Sequence, residues 1–198
     1  MSEVNLIIVV ITAIISIQAF SNSQLMHKLI FNPYTIAQRK EWYRFISSGF
    51  LHADWMHLGI NMFVLFNFGS VVIHYYSYFF GLQAGPWMYL VLYISSIAAA
   101  NATTYYRNQH NPGYNSLGAS GAVSAIVFVS ILFEPMTKFY FGIPGFLFGI
   151  AYLAYSQYAA QRSGDNINHE AHLYGAIYGI VFTLVFKPQV FKFFLSQF

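Results

Sequence analysis

Six apolar stretches constrain this chain more than any other feature: Val4 to Phe20, Met56 to about Phe80, Pro86 to about Ala100, Leu117 to Phe133, Phe141 to Tyr158 and His169 to Phe186. A helix needs roughly 20 residues to cross a bilayer. These blocks come close enough to that length to predict one compact, all-α, polytopic membrane domain over residues 1–198. Composition agrees, because 57% of the 198 residues are hydrophobic and 8% are charged, against about 25% charged in soluble domains. The first block lacks the basic leader and cleavage site of a signal peptide, so it is expected to be a retained span.

Several function classes drop out at once. There is no cysteine, which excludes disulfides, thiolate metal sites and a cysteine nucleophile. The nine basic residues are scattered without a polybasic run, which argues against nucleic-acid partners. No internal repeat is visible, so the signature of many secondary transporters is missing. Between spans one and two, Ser21 to Trp55 is too apolar for an ordinary loop, and its aromatics and charges predict an amphipathic connection embedded in the membrane interface.

Span four carries the informative motif, NSLGASGAVSAI (residues 115–126). Its 17 residues give about 25 Å of helix, short of a hydrocarbon core of about 30 Å. The polar RNQHNPGYNS before it is irregular backbone of the kind tolerated at depth only beside protein or a wet cavity. Ser120 is therefore expected at the floor of a wet pocket, near a helix N-terminus with free N–H groups. A serine there can be a small packing residue, or a nucleophile if a base takes its proton.

Candidate partners lie on two other spans. In HEAHLYGAIYGIVF (residues 169–182), His172, Gly175 and Gly179 share one helix face. The small face Gly121, Ala122, Ser124 and Ala125 of span four matches it, predicting the close approach that a short Ser–His pair requires. On span two, His57 and Asn61 are one turn apart and can both donate to a developing oxyanion. His52 reads as a structural hydrogen-bonding residue at the loop entry. Spans two, four and six enter from the same side, so Ser120, His57, Asn61 and His172 fall at one membrane face.

Taken together, EWYRFISSGFLHADWMHLGINM (residues 41–62), LGASGAVSAI (residues 117–126) and AHLYGAIYGI (residues 171–180) resemble the rhomboid family of intramembrane serine proteases in order and spacing. The resemblance implies a six-transmembrane-helix rhomboid-like bundle that cleaves transmembrane segments of other membrane proteins without metal or cofactor. It implies Ser120 as nucleophile and His172 as base, with His57, Asn61 and the Ser120 N–H as the oxyanion hole. It also implies a bacterial inner membrane and cytoplasmic termini, although the count of basic residues in the loops places the termini outside.

The chain departs from the family pattern at two positions. Tyr43-Arg44 stands where bacterial members often carry Trp-Arg. Ser124 replaces an aromatic that packs on the catalytic histidine in well-known members, so that a neighbouring aromatic or water must fill the space. No acid is well placed: Glu170 faces away from His172 on a helix, while Asp165 lies in the RSGDN loop (residues 162–166). A dyad with neutral His172 is expected. The alternatives are a catalytically inactive relative that binds membrane clients, a metal enzyme using His52, His57, His169 and His172, and a transporter or structural membrane protein. The metal enzyme lacks a His-Glu-x-x-His motif.

Overall fold

The computed structural model describes residues 3–139, 142–162 and 168–198, and these are all-helical apart from two isolated β-bridges. The six long helices are α1 (Glu3–Ser21), α2 (Trp55–Phe80), α3 (Ala84–Ala100), α4 (Ser120–Phe133), α5 (Gly145–Arg162) and α6 (His169–Phe186). They fall where the apolar stretches predict helices, with shifts at their starts. The start expected for span five, Phe141, lies outside the described residues, as does Asp165.

By length and apolarity α1 and α2 can each cross a membrane. So can α6 taken with Gln189–Leu195, to which it is joined through a 114° bend. Pro188 sits at that bend as the cap of the next helix, where its ring cannot continue the ladder of α6. The 14-residue α4 is a shorter apolar helix, about 21 Å long.

Within the bundle α4 is the central element. Every residue from Gly121 to Phe133 is buried except Val127, as expected for a helix apolar on all sides and enclosed by others. It packs on α2, α3 and α6, and more lightly on α5. The α4–α6 seam is the closest. A Cβ on Gly175 would stand 2.1 Å from the Gly121 carbonyl oxygen, and one on Gly179 would stand 2.6 Å from that of Ala125. The small faces seen in the sequence thus meet backbone to backbone, the usual contact where lipid supplies no hydrophobic drive between helices.

The outer helices show the same logic turned outward. In α1 the buried residues Asn5, Ile8, Thr12, Ser16 and Ala19 recur every three or four positions and share one face. Three of the five are polar, whereas Leu6, Ile7, Val10, Ile11, Ile14 and Ile17 are exposed, an inversion of the pattern in water-soluble helices. Asn5 donates to the carbonyls of Leu65 and Phe66 at 3.1 and 3.2 Å and accepts from Tyr89 Oη at 2.7 Å. Tyr76 on α2 bonds Thr183 on α6 at 2.7 Å. Interhelical bonds of this kind contribute about 0.6 kcal/mol each in membranes.

The connection from α1 to α2 folds into short helices, Ser23–Leu29, Pro33–Arg39 and Arg44–Ser47, and a turn of 3₁₀ helix, Ser48–Phe50. Trp42 and Tyr43 are exposed on it, in keeping with an interfacial segment. Arg44, by contrast, is buried. It donates to the carbonyls of His27 and Ile30, each at 2.8 Å, and from Nε to Glu41 at 2.7 Å. That hydrogen bond holds the Glu41 carboxyl below its ordinary range.

Candidate active site

Ser120 opens α4 and is half-buried. As the first helical residue it has no carbonyl one turn earlier for its N–H. Immediately before it, Gly118 has φ +126°, a conformation open to glycine and strained for any other residue. The Gly118 N–H donates to the Ser48 carbonyl at 3.0 Å, and Phe31 and Ser116 exchange two backbone bonds at 3.0 and 3.1 Å. The loop leading into Ser120 is thus fastened to the first connection.

Gly118 packs directly on His57, and a Cβ there would stand 2.8 Å from His57 Cε1. The same position lies 3.1 Å from His57 Nε2 and 3.6 Å from Ser120 Oγ. The bare glycine thus lets the candidate nucleophile and a candidate donor converge. His57 is held from behind: the Asp54 carboxylate caps α2 by accepting the His57 backbone N–H at 2.8 Å, and the Ala53 N–H points to His57 Nδ1 at 3.5 Å. With Nδ1 as acceptor, the neutral ring carries its proton on Nε2, on the side of Gly118. Asn61 lies one turn further along α2 and gives one amide hydrogen to the His57 carbonyl at 2.8 Å. Its NH₂ group has a second.

His172 comes to the same place on α6. Asn168 caps that helix, accepting the Ala171 N–H at 3.0 Å while donating to Ser116 Oγ and Thr104 Oγ1, each at 3.2 Å. This one side chain ties the start of α6 to the loop before Ser120. On the next turn, a Cβ on Gly121 would stand 3.2 Å from the Ala171 carbonyl. The residues adjoining Ser120 and His172 are therefore in direct contact. Ser120, His172, His57 and Asn61 all line one cavity of about 990 Å³. Its remaining walls include Ile60, Val64 and Phe68 of α2 and Phe148 and Tyr152 of α5.

His52 proves structural, as expected. It is fully buried, and its Nδ1 lies 2.9 Å from Ser16 Oγ on α1. Since Ser16 donates its one proton to the Phe50 carbonyl at 2.8 Å, it must accept from His52. Burial, reinforced by nearby His57, pushes the His52 imidazole down to about 3. Its ring stands edge-on to His57, with centroids 4.9 Å apart. Glu170 turns away from the cavity to pair with Arg107 on the segment Ala102–Asn108.

Three contributors were not singled out from the sequence. Gly118 was visible inside the Gly-x-Ser-Gly group, and the cap Asn168 stands just before the HEAH run (residues 169–172), where a capping signal is expected. Tyr152 had no distinguishing signal. It comes from α5, its ring stacks on His172 with centroids 6.4 Å apart at 26°, and its hydroxyl bonds Ser124 Oγ at 2.8 Å. The Ser124 hydroxyl thus turns to another helix rather than back to its own backbone.

Known proteins resemble the chain over most of its length. A family model described as "Rhomboid domain" matches residues 39–189, which takes in α2 to α6 and the second half of the first connection. Among similar curated proteins, Rhomboid-like protein 11, chloroplastic, of Arabidopsis thaliana is 30% identical over 152 residues, covering 71% of this chain and 51% of that protein. RHOMBOID-like protein 12, mitochondrial, of the same plant is 30% identical over 145 residues, covering 66% of this chain and 42% of that protein. The chain thus spans about half the length, or less, of these relatives. With a matching domain over most of its length and a helical bundle built to suit, the chain belongs to the rhomboid family of membrane proteins.

Proposed function

We propose that this protein is an intramembrane serine endopeptidase that cleaves transmembrane segments of other proteins with a Ser120–His172 dyad. The observation that carries the proposal is the convergence of Ser120 Oγ and His57 Nε2 beside Gly118, on a cavity that Asn61 and His172 also line. A scissile carbonyl in that cavity is attacked by Ser120 Oγ as His172 takes the hydroxyl proton. The oxyanion that forms is met by the Ser120 N–H, His57 Nε2–H and the Asn61 amide. One such donor is worth about 2.7–4 kcal/mol in the transition state. His172 then returns the proton to the leaving amine, and water repeats the sequence on the acyl-enzyme. No carboxylate is required, and Glu170 is committed to Arg107.

Substrate segments have to unwind near the cut, because a peptide bond inside a stable helix is shielded and already hydrogen-bonded. The cavity walls on α2 and α5 favour entry between those two helices, beside Pro144 and the glycines of α5. All of residues 1–198 act together in this proposal, with α1 joined to the family core through Asn5. The expected bacterial inner membrane gains no support from relatives named for the chloroplast and the mitochondrion. Residence in a membrane is what carries over.

The test is fluorophosphonate labelling in detergent, with and without chelator, alongside cleavage of a model transmembrane substrate in proteoliposomes. Chelator-resistant labelling at Ser120, with cleavage lost in both Ser120→Ala and His172→Ala, is the expected result, since the pair works as a unit. Undiminished cleavage by Ser120→Ala removes the dyad. A folded wild-type protein that binds such substrates but neither labels nor cleaves would instead be the inactive, client-binding relative.

A further inference from the structure

A histidine that serves as base must present one nitrogen to the nucleophile. On a helix its imidazole has several staggered positions about χ1 and a broad torsion beyond it. In many serine hydrolases a carboxylate restricts that freedom. Here the nearest carboxylate along α6, Glu170, is paired with Arg107. What lies flat against His172 is the ring of Tyr152, at 6.4 Å and 26°, within the 4.5–7 Å range of favourable ring pairs.

Tyr152 is itself confined. Phe128 of α4 and Phe148 of α5 flank its ring at 5.6 and 6.1 Å, and its hydroxyl is fixed to Ser124 Oγ at 2.8 Å. Ser124 lies on α4 one turn after Ser120, so the bond measures the ring against the helix that carries the nucleophile. The buried residues of α5 are small: Gly145, Gly149, Ser156 and Ala159. Tyr152 is the large side chain by which α5 meets both His172 and the helix that carries Ser120.

We propose that Tyr152 is the positioning residue of this site, with its ring holding the His172 imidazole toward Ser120 and with Ser124 setting the ring. This rests on the dyad proposed above. It makes Ser124 a support that acts through Tyr152, and it registers the base on α6 against both α4 and α5.

The experiment compares kcat and KM for a model transmembrane substrate in proteoliposomes, with thermal stability measured in parallel. Tyr152→Leu should lower kcat by roughly tenfold to hundredfold, the range expected of a base misplaced by up to about 1 Å, with KM unchanged. Tyr152→Phe keeps the ring and should recover most of kcat. Ser124→Ala should cost the same small factor as Tyr152→Phe, and the double variant no more than either, because both remove one bond. If Tyr152→Leu melts below the assay temperature, Tyr152→Met carries the same expectation, filling the volume without a flat face.

Wild-type kcat in the folded Leu or Met variant would overturn the proposal. So would a Phe variant as slow as Leu, or a Ser124→Ala loss that persists in full on the Tyr152→Phe background. Ser120→Ala is the control. If it is inactive while Tyr152→Leu is fully active, positioning fails and the dyad stands. If Ser120→Ala cleaves, both fail.

Discussion

Gly175→Ala tests whether the α4–α6 seam sets the spacing of the proposed dyad. The new Cβ would stand 2.1 Å from the Gly121 carbonyl oxygen, where ordinary contact begins at 3.4 Å. The obstacle is backbone, so no rotamer relieves it, and α6 must retreat from α4 by about 1 Å. Overpacking of this kind costs about 1–3 kcal/mol, which a bundle of this size can survive. The rate should suffer more. His172 sits one turn before Gly175 and Ser120 is next to Gly121, so the displacement falls on the pair itself, where about 1 Å is worth roughly a hundredfold in rate. Gly179→Ala makes a similar clash, 2.6 Å from the Ala125 carbonyl, but one turn further from Ser120. The assay pairs thermal unfolding in detergent with kcat in proteoliposomes. Both variants should lose similar stability, while Gly175→Ala loses clearly more kcat. Equal kcat in the two variants, or wild-type kcat in Gly175→Ala, would refute the idea that this contact sets catalytic geometry.

Three further outcomes are expected. His57→Ala and Asn61→Ala should each lower kcat with little change in KM, because oxyanion donors act in the transition state; unchanged rates in both and in the double variant would exclude them. Gly118→Ala should abolish cleavage without preventing folding, since its Cβ would strain φ +126° and stand 2.8 Å from His57 Cε1, displacing that proposed oxyanion donor; an active Gly118→Ala protein would show that the position of His57 is not needed. The third concerns pH. His52 is neutral in the fold, with its imidazole pushed down to about 3 by burial, whereas an unfolded histidine titrates near 6.5. Its contribution is therefore complete above about pH 6.5 and is lost as pH falls toward 3, at up to about 1.4 kcal/mol per pH unit. His52→Asn keeps a donor for Ser16 without a titrating ring, so its melting temperature should fall less between pH 6.5 and 4.5 than that of the wild type. Parallel curves would exclude His52 as the source.

The six helices were legible because long apolar blocks leave the backbone few options in a membrane. Their starts were less so. α4 begins at Ser120 rather than Leu117 because Gly118 takes a φ that no α-helix contains and gives its N–H to Ser48. α3 begins at Ala84, two residues before Pro86, because proline is tolerated in the first turn. The α4–α6 approach could be read from glycine spacing alone, since small residues on one face have few other uses. Tyr152 could not. It stands in GFLFGIAYLAYSQY (residues 145–158) among other aromatics, and only the rotation of α5 about its axis selects which ring meets His172.

The first connection shows why a site can depend on residues far from it in sequence. Arg44 holds the carbonyls of His27 and Ile30, which fixes the turn that presents Phe31 and Asn32. Phe31 pairs with the backbone of Ser116, and Asn32 donates to the carbonyls of Pro112 and Tyr114, each at 3.1 Å. Four residues after Arg44, Ser48 accepts from Gly118. The polar loop before Ser120 would otherwise leave several carbonyls and N–H groups unpaired at depth, each costing several kcal/mol in lipid. The connection supplies those partners, and in doing so it fixes Gly118 at the φ of +126° that lets its backbone lie against His57 and beside Ser120. The buried arginine at position 44 thus acts on the site through three successive sets of backbone bonds, without itself lining the cavity.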